Sequence, residues 1–283
     1  TVSLRRMRNA LVARGYQEAI TYSFVSDDLQ RSLDPDAAGL ALANPISSDL
    51  AVMRTSLWPG LLQAVLYNLN RQHDRVRLFE SGLRFRVNGD DLHQERVLAG
   101  AVLGPVTPEQ WGDPRRSTDF YDAKADLEAV LALTGRADEF AFEASEKPGL
   151  HPGQTALIRR AGEGVGHLGA IHPAVAADHK LPSTLYVFEL LLEPLAQGAL
   201  PQFGSLSRFP VVRRDLSVVV DQSVAASALC DAVGQVGLDV LKNLQLFDVY
   251  RGEGIDSERK SLSLGLTFQA DERTLNDSEI DEA

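Results

Sequence analysis

The sequence predicts an α+β protein of two units, the first built on an antiparallel sheet and the second an incomplete ferredoxin-like βαββα sandwich. Three observations predict it. Short β-rich runs follow one another instead of alternating with helices, which excludes a βαβ arrangement. Helix-period apolar stripes stand before and between those runs. The stretch EPLAQGALPQFGSLSRFP, around Pro194 to Pro210, loses periodicity and gathers Gly, Pro and Ser, the composition of a link. At about 150 residues per domain, 283 residues fit two domains, expected at 1–196 and 204–283.

Leu4, Met7, Leu11 and Val12 recur at helical spacing, and Gly15 follows where a left-handed residue commonly closes a helix. Ile20, Tyr22 and Phe24 then alternate with Thr21 and Ser23, the period of a half-buried strand. Ser56 is placed to cap a helix with Pro59 in its first turn, and Leu61, Leu62, Val65, Leu66 and Leu69 form its stripe. Strands are expected at 76–86, 96–104, 155–161, 164–171 and 184–192, with a helix from Asp119 to Leu133 whose Phe120, Leu127, Val130 and Leu131 face inward and which Gly135 ends. Beyond the link come a strand (Arg213 to Asp221), a helix (Val224 to Gly237), strands (Leu241 to Arg251 and Lys260 to Ala270) and a helix start at Asn276. One further strand would complete the sandwich, so the chain is expected to be a truncated piece.

The lone Cys230 excludes an internal disulfide framework and argues against a zinc module, which fits a reducing, cytoplasmic setting. No apolar stretch approaches the ~20 residues of a membrane span, and the N-terminus lacks a signal-peptide pattern. A net charge of −11 opposes indiscriminate binding to nucleic acid, so any RNA contact must be local. The acidic tail DERTLNDSEIDEA reads as a solvated helix start.

Enzyme signatures are absent: there is no GxxxxGK loop, no HExxH and no GxSxG elbow. The six histidines form no i, i+4 pair on a helix and read as structural or surface residues. Asp119, Asp122 and Asp126 could bring carboxylates together for magnesium, but acids in a first helical turn serve the helix dipole, and that reading is preferred. No metal site is expected.

The most informative constellation follows from strand pairing. If Gly252 to Arg259 joins an antiparallel hairpin with Arg251 opposite Lys260, Tyr250 faces Ser261 and Asp248 faces Ser263. Phe247, Val249, Leu262, Leu264, Leu266 and Phe268 then form an apolar face for the helices, leaving Asp248, Tyr250 and Ser261 on the open one. An aromatic ring beside a carboxylate and a hydroxyl suits a splayed base, because the ring stacks and the polar groups read its edge. The alternative is that Tyr250 merely shields the hairpin. Arg208, Arg213 and Arg214 bring local positive charge to the entrance of this unit, either for phosphate or to set the interdomain angle.

The segments ANPISSDLAVMRTSLWPGLLQAVLYNLNRQ (Ala43 to Gln72), RLFESGLRFR (Arg77 to Arg86), HPGQTA (His151 to Ala156), FPVVRRDLSVVV, LFDVYRG and KSLSLGLTF together resemble the beta subunit of bacterial phenylalanyl-tRNA synthetase. They occur in the family's order and cover nearly the whole chain. The resemblance implies a class II synthetase-like first domain and a ferredoxin-fold anticodon-binding second domain. It implies that Asp248, Tyr250 and Ser261 bind the guanine that begins the family's anticodon.

The same resemblance implies an inert first domain. Arg86 matches the family of class II motif 2 arginines that hold the ATP α-phosphate, but Asn88 stands where a Glu contacts adenine, and YVFELLLEPL lacks the glycines and Arg of motif 3. By resemblance, ATP and magnesium are used by the whole enzyme and no cofactor is bound by this chain. The implied partners are a catalytic alpha subunit, tRNA(Phe) and a second alpha–beta pair in an (αβ)2 heterotetramer. Leu4, Met7, Leu11, Ile20 and Phe24 look like motif 1, a dimer-interface element; alternatively that helix covers its own sheet. Active class II adenylation and a pure protein-interaction scaffold remain as rival functions.

Overall fold

A computed structural model describes residues 1–37, 39–89, 91–200, 203 and 206–281. The chain divides into two compact units, Thr1–Pro201 and Gln202–Ala283. The expected start of the second domain at 204 lies outside the described residues.

In the first unit, among the described residues, the elements are α1 (Leu4–Ala13), β1 (Gln17–Glu18), β2 (Phe24–Val25), α2 (Asp27–Leu33), β3 (Val52–Met53), α3 (Trp58–Leu69), β4 (Val76–Asn88), β5 (Asp91–Leu103), α4 (Phe120–Leu131), β6 (Phe140–Ala144), β7 (Leu150–Arg160), β8 (Glu163–Ile171), α5 (Pro173–Asp178), β9 (Leu185–Leu191) and α6 (Leu192–Ala196). Seven strands form one sheet in the order β1-β4-β5-β9-β8-β7-β6. Only the short β1 is parallel to its neighbour; the other pairings are antiparallel. This is an α+β arrangement, as the sequence predicts.

The sheet is covered on both faces, which explains why its central strands read as nearly unbroken apolar runs. Every residue from Val97 to Leu103 in β5 is buried. Alternate side chains enter two different cores. Leu98 and Val102 join Met7, Leu11, Leu127 and Val130 of α1 and α4. Val97, Ala99, Ala101 and Leu103 join Leu61, Leu62 and Val65 of α3, with Leu29 and Leu33 of α2. Each fully buried Leu contributes roughly 1.5–3 kcal/mol. Gly100 is required at the middle of β5 because a Cβ there would stand 2.3 Å from Cζ of Phe188 on β9.

Local signals place the helices. Ser3 caps α1 through a hydrogen bond from the Arg6 amide, and Gly15 follows with φ of +83°. Asp119 and Asp122 form a reciprocal capping box at the start of α4. Asp126 is instead buried beneath Arg77 and Arg14, at 2.9 and 3.1 Å. The three acids therefore serve two structural duties, helix capping and a buried ion pair.

Three expectations need correction. Residues 20 to 24 do not form one half-buried strand: Ile20 is 93% exposed and Tyr22 73% exposed. The inward residue is Thr21, whose hydroxyl donates to Glu80 at 2.6 Å and accepts from Arg54 at 3.0 Å, so a polar network fixes which side faces the core. Ser56 lies one residue before the cap position of α3, although its hydroxyl does accept from the Trp58 amide at 3.1 Å. Met7 and Leu11 are buried within their own unit at 1% and 0% exposure, so they present no surface to a partner. Leu4 and Phe24 are half-buried, and Ile20 alone of the five interface candidates is open.

In the second unit, among the described residues, the elements are β10 (Val212–Asp221), α7 (Ala226–Gln235), β11 (Leu241–Tyr250), β12 (Arg259–Phe268) and α8 (Asp277–Asp281), with sheet order β10-β12-β11. Both pairings are antiparallel. Asn276 caps α8 by accepting from the Glu279 amide at 3.0 Å while Glu279 accepts from the Asn276 amide at 3.0 Å. The acidic tail thus begins a helix.

Candidate nucleic-acid interface

The β11–β12 hairpin has the register that the sequence predicts at the end next to its loop. Tyr250 stands opposite Ser261, Val249 opposite Leu262 and Asp248 opposite Ser263. Across β12, Ser261 faces Val219 and Ser263 faces Ser217. Opposed residues share a sheet face, so Asp248, Tyr250 and Ser261 lie together, with Ser217 and Ser263 beside them. The two serine hydroxyls share a hydrogen bond of 2.9 Å. Asp248 is exposed and Ser261 half-buried.

Tyr250 is 45% exposed and curls over the hairpin loop, where its hydroxyl donates to the Glu253 carbonyl at 3.2 Å. A Cβ at Gly252 would meet that hydroxyl at 2.7 Å, so the glycine makes room for the ring's edge. The ring is both a lid on the hairpin and a half-open surface beside Asp248.

A β-bulge between Leu246 and Asp248 changes the other half of the strand. Leu246, not Phe247, pairs with Leu264 on the apolar face, and Phe247 is 47% exposed. The expectation that Phe247 lies beneath the helices is therefore wrong: one extra residue in β11 turns it away. Its ring sits 5.3 Å from the Arg213 guanidinium, which crosses Gly265 to reach it and also donates to Asp215 at 2.8 Å. Strand pairing alone missed this stacked pair; Gly265 inside a strand was its one sequence signal.

The neighbouring arginines separate. Arg213 lies on the face that carries Asp248, whereas Arg214 alternates to the other face and binds Asp277 at 2.6 Å and Asp281 at 3.6 Å. Arg214 therefore anchors α8, which corrects its reading as a phosphate contact. Arg208 is exposed on the segment leading into β10.

In the first unit, Arg86 lies among cations that stand beside carboxylates. Arg84 donates to Glu95 at 2.7 Å and to Glu189 at 2.6 Å. Arg86 and Lys147 both approach Asp34, at 3.4 and 3.3 Å. His167 is half-buried near Lys147, Arg84 and Arg86, and burial together with these charges lowers it to about 4. Glu189 also accepts from the Ser56 hydroxyl and the Leu57 amide, at 3.0 and 2.8 Å. The Asn88 side chain lies outside the described residues. Each cation here stands beside a carboxylate, an ion network rather than a set of unpaired cations, although the buried Arg86 Nε has no hydrogen-bond acceptor among the described residues.

Comparison with known proteins agrees with this geometry. A family model for the phenylalanyl tRNA synthetase beta chain CLM domain matches residues 2–192, and one for the ferredoxin-fold anticodon binding domain matches residues 207–283. The phenylalanine–tRNA ligase beta subunit of Pseudomonas fluorescens is 55% identical over 98% of this chain, and that of Hahella chejuensis 47% identical over 100%. This chain covers 35% of each of those relatives, about a third of their length. A pyrrolysyl tRNA synthetase structure from Desulfitobacterium hafniense aligns with a TM-score of 0.51 at 16% identity, covering 68% of this chain and 63% of that one, a likeness of fold that is class II synthetase-like. With both of its units matched in order, this chain belongs to the phenylalanyl-tRNA synthetase beta subunit family.

Proposed function

We propose that this chain, as domains 1–196 and 204–283, is the non-catalytic scaffold and anticodon-reading portion of an ATP-dependent phenylalanine–tRNA ligase. Its partners are a catalytic alpha subunit and tRNA(Phe), within a cytoplasmic (αβ)2 heterotetramer that uses ATP and magnesium. The observation that carries the reading is the placement of Asp248, Tyr250 and Ser261 on one face of a family-matched anticodon-binding unit. A carboxylate accepts from the two N–H donors on guanine's Watson–Crick edge, and the half-open ring offers a stacking surface. Arg213 supplies local positive charge on that face against a net charge of −11. Arg208 stands at its entrance as a second phosphate contact.

The paired charges around Arg84, Arg86 and Lys147 support a first domain that does not activate an amino acid. No helix among the described residues is long and apolar enough to cross a membrane. Ile20, open on its surface, is the interface candidate retained for the alpha subunit.

The deciding experiment is binding of tRNA(Phe), with guanine or another base at the first anticodon position, to the assembled enzyme carrying wild-type chain or Asp248→Asn. The wild type should prefer guanine by about tenfold or more, as a charged hydrogen-bond partner allows, and Asp248→Asn should lose most of that preference. Equal discrimination by both proteins would remove Asp248 from base reading.

A further inference from the structure

A second charged cluster lies in the first unit, apart from the ion network around Arg86. A cavity of about 670 Å³ opens between α1 and α4, floored by Arg14, Arg75, Arg77 and Asp126 and rimmed by small alanines of both helices. We propose that this cavity binds a small oxyanion, the carboxylate or phosphate group of a ligand, through Arg75 and Arg77.

Acceptors for the arginines of this cavity are few. Asp126 is the inner carboxylate, and both of its oxygens are taken: Oδ1 by Arg14 at 3.1 Å, Oδ2 by Arg77 at 2.9 Å and by the Tyr16 hydroxyl at 3.0 Å. Asp122, the other acid at the cavity, is held bidentately by Arg116 at 2.6 and 2.7 Å. Among the described residues, Arg75 donates only to the Val106 carbonyl, at 3.1 Å, and Arg77 donates to the Arg14 carbonyl, at 3.1 Å, besides Asp126. Among the described residues, the Nε groups of Arg75 and Arg77 are buried without an acceptor, and Arg77 is 8% exposed. Unsatisfied buried donors on a cation are costly, so a site this poor in acceptors favours a ligand that brings oxygens. Burial and the adjacent Arg77 guanidinium hold Arg75 below the ordinary arginine range, with Tyr16 and Asp126 opposing. The guanidinium fork matches the planar or tetrahedral oxygens of carboxylate and phosphate alike. The alanine rim leaves room for the group to enter without displacing a long side chain.

The test titrates the 283-residue chain with inorganic phosphate and, separately, with acetate at constant ionic strength, reading arginine Nε–H and backbone amide NMR shifts. Saturable shifts at Arg75, Arg77 and Gly15 are expected with at least one anion. Arg75→Gln should weaken that binding about tenfold or more, as loss of a hydrogen bond to a charged group predicts, while Arg115→Gln, at an exposed arginine paired with Asp74 outside the cavity lining, leaves it unchanged. Arg75→Lys, which keeps charge and loses the fork, should bind at intermediate strength and serves if Arg75→Gln fails to fold. Saturation by phosphate alone identifies a phosphoryl group; comparable saturation by acetate identifies a carboxylate. Absence of saturation with both anions, or full affinity in folded Arg75→Gln, overturns the site.

Discussion

Tyr250 stands directly opposite Ser261 across β11 and β12, and its hydroxyl donates to the Glu253 carbonyl at 3.2 Å. These two relationships make separable demands on the same ring. If the ring stacks on a base, Tyr250→Ala should weaken binding of tRNA to the assembled enzyme by about 1–3 kcal/mol, whereas Tyr250→Phe retains most of it. The hairpin role alone predicts the reverse emphasis: both variants lose the hydrogen bond to Glu253 and destabilise the unit alike, by about 0.5–1.5 kcal/mol. Filter binding beside urea unfolding separates the two. Full tRNA affinity in Tyr250→Ala sinks the stacking role.

Asp126 is nearly buried, and among the described residues Arg77 beside it pairs with no second carboxylate. Asp126→Asn keeps the shape but leaves a buried guanidinium without its counter-charge, which typically costs about 3–5 kcal/mol. Replacing both partners, Asp126→Leu with Arg77→Met, should recover much of that loss, because burying matched apolar groups avoids desolvating two ions. The Tyr16 hydroxyl also loses its acceptor in the double variant, so recovery should be incomplete. Urea unfolding of the singles and the double checks the sign. A single variant as stable as the wild type would show that the pair adds nothing.

How far the sequence reached depends on whether each determinant was local. Period-3.6 stripes through Met7 and Leu11 or Leu61 and Val65, and apolar runs such as Val97 to Leu103, carry their structure in neighbouring residues. The pairing of Tyr250 with Ser261 follows once Gly252 to Arg259 is taken as the loop, because the loop's two ends set the hairpin register. The bulge at Phe247 did not follow: nothing in LFDVY distinguishes one inserted residue from regular alternation. The alternation from Ile20 to Phe24 misled for another reason. The inward side there is chosen by Thr21 meeting Arg54 and Glu80, residues far along the chain. β6 at Phe140–Ala144 has no clear signal in the sequence, because FAFEA is too short for its period to stand out and its partner β7 lies beyond an intervening loop. Arg213 and Arg214 were grouped by adjacency, whereas a strand sends adjacent side chains to opposite faces.

His167 supplies a pH prediction. Its folded pKa is lowered from an ordinary 6.5 to about 4, first by burial and then by Lys147, Arg84 and Arg86, with Asp34 opposing. The folded chain therefore resists protonation while the unfolded chain accepts it. Its contribution is fully present above pH 6.5 and is lost as pH falls toward 4. Because part of the ring meets solvent, the contribution is about 1–2 kcal/mol, less than the full shift implies. His167→Gln should flatten the stability curve across that window. A slope identical to wild type would place the acid sensitivity elsewhere.

The apolar residues of α1 and the segment after it make opposite predictions. Met7 is enclosed with Tyr16, Phe79 and Leu98, so Met7→Asp buries an unpaired charge and should unfold the first unit before any effect on association could be read. Ile20 has no such enclosure, and Ile20→Asp should change stability by no more than about 0.5 kcal/mol. A surface Ile that docks against the alpha subunit would instead reveal itself as lost association, because burying the new carboxylate at an interface leaves it without a partner. Co-purification of alpha subunit with Ile20→Asp, beside circular dichroism of the isolated chain, reads both quantities. Intact folding with undiminished association would clear Ile20 of the interface, and since Met7 and Leu11 are already committed to the interior, the contact would then have to be sought on another face.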